Sequence, residues 1–241
     1  MLRLLFVLAL GLAARPPLVV GAFSRMTPGG SFADGWVPLR LGDARPSTYT
    51  RVRAPASARA GGGAVVVRAR ADDSASGLIR RVRVDLAATP VLAWRWKVDG
   101  VIARGDVTRR DGDDYPARIY VTFDYPASRL SLGDRVKYRA LRALGYRDVP
   151  TRALNYIWAN RAGETEIVPN PFTDWVQMVP VESGPANAGR WRDARRNVAA
   201  DYRAAFGEEP PAITGIAIMT DADNTGGAAT AYYGDITTEE R

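Results

Sequence analysis

The chain has 241 residues, with 33 Lys and Arg against 26 Asp and Glu for a formal charge of +7, and it contains neither Cys nor His. Lacking Cys, it has no thiol nucleophile, disulfide or thiolate metal site; lacking His, it has no imidazole base or zinc ligand, which excludes Ser-His-Asp, Cys-His and HExxH chemistries. Catalysis would have to run on carboxylates, Tyr, Lys or Arg, and any metal would be a hard, oxygen-liganded ion such as calcium.

At the start of the chain, Arg3 precedes an apolar stretch over residues 4–14, and Val20, Gly21 and Ala22 offer a small-residue cleavage site before Phe23. Residues 1–22 are therefore expected to be a signal peptide, and 23–241 a single β-sandwich domain that is periplasmic or secreted. Arg15, Pro16 and Pro17 interrupt the apolar run, so after signal removal nothing approaches the length that spans a bilayer. Lys97 and Lys137 are the only lysines, and the arginines are scattered among acids. Nucleic acid is not an expected partner, because no aromatic-basic recognition motif accompanies the charge. An anionic envelope polymer remains open as a loose partner.

Period-two patterns dominate from there on. Strands are predicted over residues 64–70 and 78–86, with the Gly61-Gly62-Gly63 stretch before them as a long hairpin loop. Over residues 90–98, Leu92, Trp94, Trp96 and Val98 share one face, opposite Ala93, Arg95 and Lys97. The tryptophan pair either fills a core or forms an aromatic platform for a sugar ring, depending on whether that face is open. Residues 117–125 alternate more cleanly, placing Ile119, Val121 and Phe123 opposite Arg118, Tyr120, Thr122 and Asp124. Just before them lies an acidic turn, Asp111-Gly112-Asp113-Asp114-Tyr115, whose carboxylates either cap backbone amides or join other acids in space.

Helices are predicted over residues 130–144, stopped by Gly145, and over 191–206, where Trp191, Val198, Tyr202 and Phe206 form one stripe closed by Gly207. Further strands are expected at 155–159, 175–182, 212–220 and 229–236. Many short strands with about two helices indicate a mainly β fold, a β-sandwich or jelly roll of the galactose-binding-like or concanavalin-like kind.

The run Thr220-Asp221-Ala222-Asp223-Asn224-Thr225-Gly226-Gly227 concentrates the chemistry-bearing side chains. Its oxygen side chains and Gly match the first half of an EF-hand loop, but position twelve is Tyr232 where a bidentate Glu is required, so an EF-hand is rejected. Two readings stay open. One is a calcium site of another geometry, built from Asp221 and Asp223 and closed by Asp235 or by Asp113 and Asp114. The other is a hairpin tip whose side chains bond local backbone, with Gly226-Gly227 supplying positive φ.

Several of these motifs together resemble one family. Trp94-Arg95-Trp96-Lys97, the run Gly112 through Val121 with Phe123-Asp124, Leu154-Asn155-Tyr156-Ile157-Trp158-Ala159, Arg196-Asn197-Val198 with Asp201-Tyr202 and Phe206-Gly207, and the acidic run through Tyr233-Gly234-Asp235-Ile236 look like the DUF3047 family of bacterial exported proteins. The resemblance spans residues 30–238 and implies no assigned activity and no catalytic residues to carry over. The closing Tyr-Gly-Asp-Ile is similar to the last strand of carbohydrate-binding jelly rolls, a likeness of fold alone.

The residues support a non-catalytic module that binds a glycan or envelope ligand through Asp113, Asp114, Arg118, Tyr120, Asp124, Asp221, Asp223, Asn224, Tyr232, Tyr233 and Asp235. Two alternatives stand beside it. The first is a glycan-active enzyme pairing Asp113 or Asp114 with Asp221 or Asp223, which needs carboxyl groups at ~5 Å or ~6.5–9.5 Å. The second is a structural protein whose loop is stabilised by calcium. The meeting of the two acidic turns in space decides among them.

Overall fold

β-Branched and aromatic residues at alternate positions supply the strands of a computed structural model that describes residues 17–29, 32, 35–54, 64–146 and 149–240. In chain order they are β1 (Val19–Gly21), β2 (Trp36–Arg40), β3 (Thr48–Arg53), β4 (Val65–Asp72), β5 (Ala75–Val84), β6 (Val91–Val98) and β7 (Arg118–Phe123). After helix α1 (Leu132–Ala143) come β8 (Ala153–Ala159), β9 (Val168–Asn170), β10 (Thr173–Ser183) and β11 (Arg192–Asn197), and after helix α2 (Val198–Phe206) come β12 (Ile213–Asp221) and β13 (Ala228–Glu239). One sheet has the order β11-β6-β13-β4-β3, with β1 also on β13; the other runs β2-β5-β12-β7-β8-β10-β9. The fold is a β-sandwich, and among the described residues there are two α-helices and every strand pairing is antiparallel except β8 with β10.

The two sheets meet through an aromatic ladder. Trp94 and Trp96 of β6 point inward and are buried, with ring centroids 5.4 Å apart; Trp94 packs on Tyr156 at 5.3 Å and Trp96 on Trp158 at 5.9 Å. The tryptophan pair is therefore core, not an open platform. Opposite them Ile119, Val121, Ile216 and Ile218 complete one continuous cluster that reaches from Val20 to Ile236. Each such side chain contributes roughly 1.5–3 kcal/mol by leaving water.

Two sequence expectations change. The helix predicted from Trp191 begins only at Val198, because residues 192–197 pair along the edge of β6, from Arg192 opposite Trp96 to Asn197 opposite Val91. An open strand edge offers those residues a ladder of backbone partners that a helical stripe read from sequence does not register. Asn197 then caps α2 by accepting from the Ala200 amide at 3.0 Å, and Gly207 ends it at φ +68°. The second change concerns residues 220–227. They are not a hairpin tip, since β12 and β13 belong to opposite sheets: Thr220 and Asp221 end β12, and residues 222–227 are the crossover between the sheets. By contrast, β3 and β4 do pair as a hairpin, closed by the Ala54 amide on the Ala64 carbonyl at 2.8 Å, with residues 55–63 outside the described ones.

Helix α1 follows its prediction closely, with Ser131 accepting from the Asp134 amide at 3.1 Å as its cap. Among the described residues no helix is long and apolar enough to cross a membrane. Of the expected signal peptide, residues 1–16 lie outside the described residues. Val19–Gly21 forms β1 on β13, Val20 and Phe23 are fully buried, and Arg80 Nη1 donates to the Val20 carbonyl at 2.5 Å. Cleavage after Ala22 would take that strand away. A chain starting at Phe23 should melt roughly 4 °C or more below one starting at Pro17 in calorimetry, given the burial of Val20; equal melting would mean that β1 contributes nothing.

Candidate functional site

Because Ile119, Val121 and Phe123 face the core, period two turns Arg118, Tyr120 and Thr122 to the outer face of the seven-stranded sheet. β12 lies beside β7, with Met219 opposite Arg118, and brings Ala217, Met219 and Asp221 to the same face. There Arg118 clasps Asp221 with both arms of its guanidinium, Nε to Oδ1 at 2.8 Å and Nη2 to Oδ2, while Nη2 also reaches the Asp113 carbonyl at 2.5 Å. Both side chains are almost wholly buried, and the guanidinium lies 4.4 Å from the Tyr115 ring centroid.

The two acidic turns do meet. Asp114, fully buried, accepts from the Asn224 amide at 3.2 Å and the Thr225 amide at 2.6 Å, pinning the crossover to the turn before β7. Asn224 Nδ2 adds a bond to Asp114 Oδ1 at 3.2 Å. Asp113 accepts through Oδ2 from Asn170 at 2.9 Å, and its Oδ1 stands 3.7 Å from Arg118 Nη1. Burial pushes the Asp113 carboxyl up against the pull of Arg118; burial followed by the Asp114 charge does the same to Asp223. Asp221 is pushed well up by burial, with Arg118 opposing and Asp114 and Asp113 adding to the rise. For Arg118 burial works downward, but Asp221 and Asp113 outweigh it and hold the guanidinium above its ordinary range.

From this polar end a cleft of about 270 Å³ runs over the sheet. Tyr120, Thr122, Ile79, Leu39 and Ala217 form its floor, and Phe172 and Trp175 line it from the β9–β10 side. Tyr146, from the loop after α1, completes the opposite side by packing on Gly42, where a Cβ would come within 2.7 Å of its ring and where φ is +51°. Only glycine fits at that contact.

Of the ligand residues expected from sequence, Asp113, Arg118, Tyr120, Asp221, Asp223 and Asn224 line the cleft, and Asp114 holds its polar end from behind. Tyr233 is a strut: fully buried, its hydroxyl donates to the Met219 carbonyl at 2.5 Å and accepts from the Arg118 amide at 3.3 Å. The remaining three stand elsewhere. Asp124, at the far end of β7, pairs with Arg83 at 2.8 Å. Tyr232 lies on the outer face of the other sheet, with the Lys97 ammonium 4.8 Å from its ring, because β13 alternates there and not here. Asp235 accepts from the Ser24 amide at 2.8 Å and hydroxyl at 2.5 Å, so it closes no site with Asp221 and Asp223.

Asp114 takes its place: carboxylate oxygens of Asp114, Asp221 and Asp223 lie within 4.8 Å of one another. The set does not fit calcium. Both Asp114 oxygens are taken by backbone amides, both Asp221 oxygens by a buried cation, and what is left falls short of the six to eight oxygens calcium takes. The same commitments leave Asp114 and Asp221 without the free oxygen that a nucleophile or base needs. Sequence reading missed Leu39, Ile79, Tyr146, Asn170, Phe172 and Trp175, which reach the cleft from four separate segments and carry no local motif.

Fold and site together define a β-sandwich protein with a half-acidic, half-aromatic cleft on one outer face. The chain belongs to the family described as protein of unknown function (DUF3047), whose model matches residues 34–237. No curated protein matches it. Among solved structures it is similar to the family 11 carbohydrate-binding module of the cellulosomal cellulase Lic26A-Cel5E of Clostridium thermocellum, at 9% identity and TM-score 0.41, over 95% of this chain and 97% of that one. It is also similar to the xyloglucanase domain of NopAA, a type three effector from Sinorhizobium fredii in complex with cellobiose, at 8% identity and TM-score 0.45, over 89% and 99%. At such identities and scores neither likeness bears on function.

Two outcomes test the electrostatics. Arg118→Met should cost about 3–5 kcal/mol in urea unfolding by stranding the buried Asp221, and adding Asp221→Leu should recover most of it. The raised Asp223 pKa means that the folded state keeps its proton longer than the unfolded chain, so the stability it contributes is full below about pH 4 and is lost as pH rises through the folded value. Asp223→Asn should therefore melt with the wild type near pH 4 and about 1–2 °C above it at pH 7 by calorimetry.

Proposed function

We propose that the protein is a non-catalytic, exported module that binds a glycan or other cell-envelope ligand in the cleft beside residues 220–227. The observation that carries this reading is the convergence, in one cavity, of planar hydrogen-bonding groups and ring faces. Arg118, Asn170 and Asn224 stand at one end, and Tyr120, Tyr146 and the exposed Phe172 line the rest. Sugar rings present an apolar face and a rim of hydroxyls, and such a cavity matches both. An expected place in the periplasm or outside the cell brings the protein into contact with envelope polymers and follows from the same signal-like N-terminus.

Isothermal titration against a panel of envelope glycans should find a ligand whose binding weakens at least tenfold, about 1.4 kcal/mol, in Asp223→Ala and in Tyr120→Ala. EDTA should leave that binding unchanged. No binding to any member by a wild-type protein of normal melting temperature overturns the reading. Release of reducing ends that Asp113→Asn and Asp223→Asn abolish would make the cleft an active site instead.

A further inference from the structure

Helix α1 turns an apolar stripe to solvent. It has no fully buried residue and is held to the protein by Tyr138 and Leu141, which pack on the cluster that contains Tyr115 and Trp175. At about 3.6 residues per turn, Leu132, Val136, Ala140 and Ala143 stack on the side away from those two contacts. Leu132 is 75% exposed and Val136 68%, and Leu144, just past the helix, is 69% exposed. An ordinary surface helix presents polar residues there. Phe172, also exposed, stands beside the helix, because Lys137 Nζ donates to its carbonyl. Among the described residues only Leu18 and Val37 are other large apolar side chains as open as these four.

The charges around the patch are of one sign. By the same helical spacing Arg135, Arg139 and Arg142 run along one border of the stripe and Lys137 along the other, and the Arg110 guanidinium lies 5.5 Å from the Phe172 ring centroid. Among the described residues none of these five cations is ion-paired with a carboxylate. The one acid of the helix, Asp134, accepts from the Ser131 hydroxyl at 2.6 Å and belongs to the N-terminal cap. An apolar stripe bordered by cations suits a helix lying in the plane of a lipid–water interface. There the stripe enters the acyl boundary, and the long Arg and Lys side chains reach back to the headgroups. A second copy of the chain fits less well, since a two-fold contact on this stripe sets the arginine rows of both copies side by side.

We infer that α1 and Phe172 form a docking patch for the surface of an anionic phospholipid bilayer, with the helix lying flat in the headgroup layer. Leu141, Tyr146 and Phe172 also line the cleft, so docking sets the aromatic side of the cleft against the membrane surface. The inference stands apart from whatever the cleft binds.

Flotation of the full chain compares vesicles of phosphatidylcholine alone with vesicles of phosphatidylcholine and phosphatidylglycerol in equal parts. The N-terminal apolar stretch is common to the wild type and every variant, so differences between variants report on the patch. The wild type should partition at least tenfold more strongly onto the mixed vesicles, and the preference should shrink as salt shortens the screening length from about 10 Å toward 3 Å. Leu132→Gln with Val136→Gln, and separately Arg139→Gln with Arg142→Gln, should each weaken binding to mixed vesicles at least tenfold. All four positions are exposed, so both variants should melt with the wild type. Equal binding to the two kinds of vesicle, or binding that neither variant weakens, overturns the inference. Loss confined to one variant overturns it as well: in the arginine variant alone it means plain attraction to any polyanion, and in the apolar variant alone an apolar face with no choice of lipid. A wild type that sediments as a dimer and becomes monomeric in the Leu132→Gln, Val136→Gln variant gives the stripe to a second copy and overturns it too.

Discussion

Burying a guanidinium against a carboxylate removes several kcal/mol of hydration from each ion, and the pair survives only if nearly every donor and acceptor finds a partner. Arg118 and Asp221 meet that condition by drawing in their surroundings: Asp113 offers its carbonyl, Tyr115 its ring and its amide, and Tyr233 reaches through from the opposite sheet to take the Arg118 amide. The start of β7, the end of β12 and the acidic turn are thereby tied at one point. The crossover of residues 222–227 is then held by Asp114, which accepts from the Asn224 and Thr225 amides. The cleft has a rigid polar end because this ion pair cannot be moved without stranding a charge.

The same strands make both the core and the cleft. Along β7 the odd-numbered residues join the aromatic ladder of Trp94, Trp96, Tyr156 and Trp158, and the even-numbered ones form the cleft floor. Packing of the inner face therefore sets the position of the outer side chains to within the tolerance of a close-packed interior. The walls are different in kind. Tyr146 rests on Gly42, and Phe172 and Trp175 come from the strand edge near α1, so the cleft's width depends on loop and edge contacts instead of the central ladder.

Much of this was legible residue by residue. Alternation places Ile119 and Arg118 on opposite faces, and of the two readings open for the turn at residues 111–115 both hold, since Asp114 caps backbone amides and in doing so brings the two acidic segments together. The Trp94–Trp96 face was ambiguous because a pleated strand presents a buried stripe and an open platform with the same spelling; only the second sheet across from it decides. Residues 191–197 read as helix because the Trp191 stripe continued into a true helix, while their strand pairing depends on an edge of β6 about a hundred residues earlier in the chain. Asp124, Tyr232 and Asp235 group with the site by proximity in sequence or by motif, and the length of β7, sheet assignment and Ser24 carry them away from it.

The sequence by itself determined the strand faces, the helix stops at Gly145 and Gly207, the exclusion of imidazole and thiol chemistry, and the family, because these depend on local periodicity, on backbone groups within a few residues, or on composition. Tertiary structure alone decided that residues 222–227 cross between sheets instead of turning back, that Asp114 stands beside Asp221 and Asp223 where Asp235 does not, and that the acidic run opens onto a cleft walled by Tyr146, Phe172 and Trp175. Strand order and sheet assignment come from packing energies summed over the whole core, and a period of two is the same in every order open to the strands. The acidic run is thus chemically plain in the sequence, and what it faces is a property of the fold.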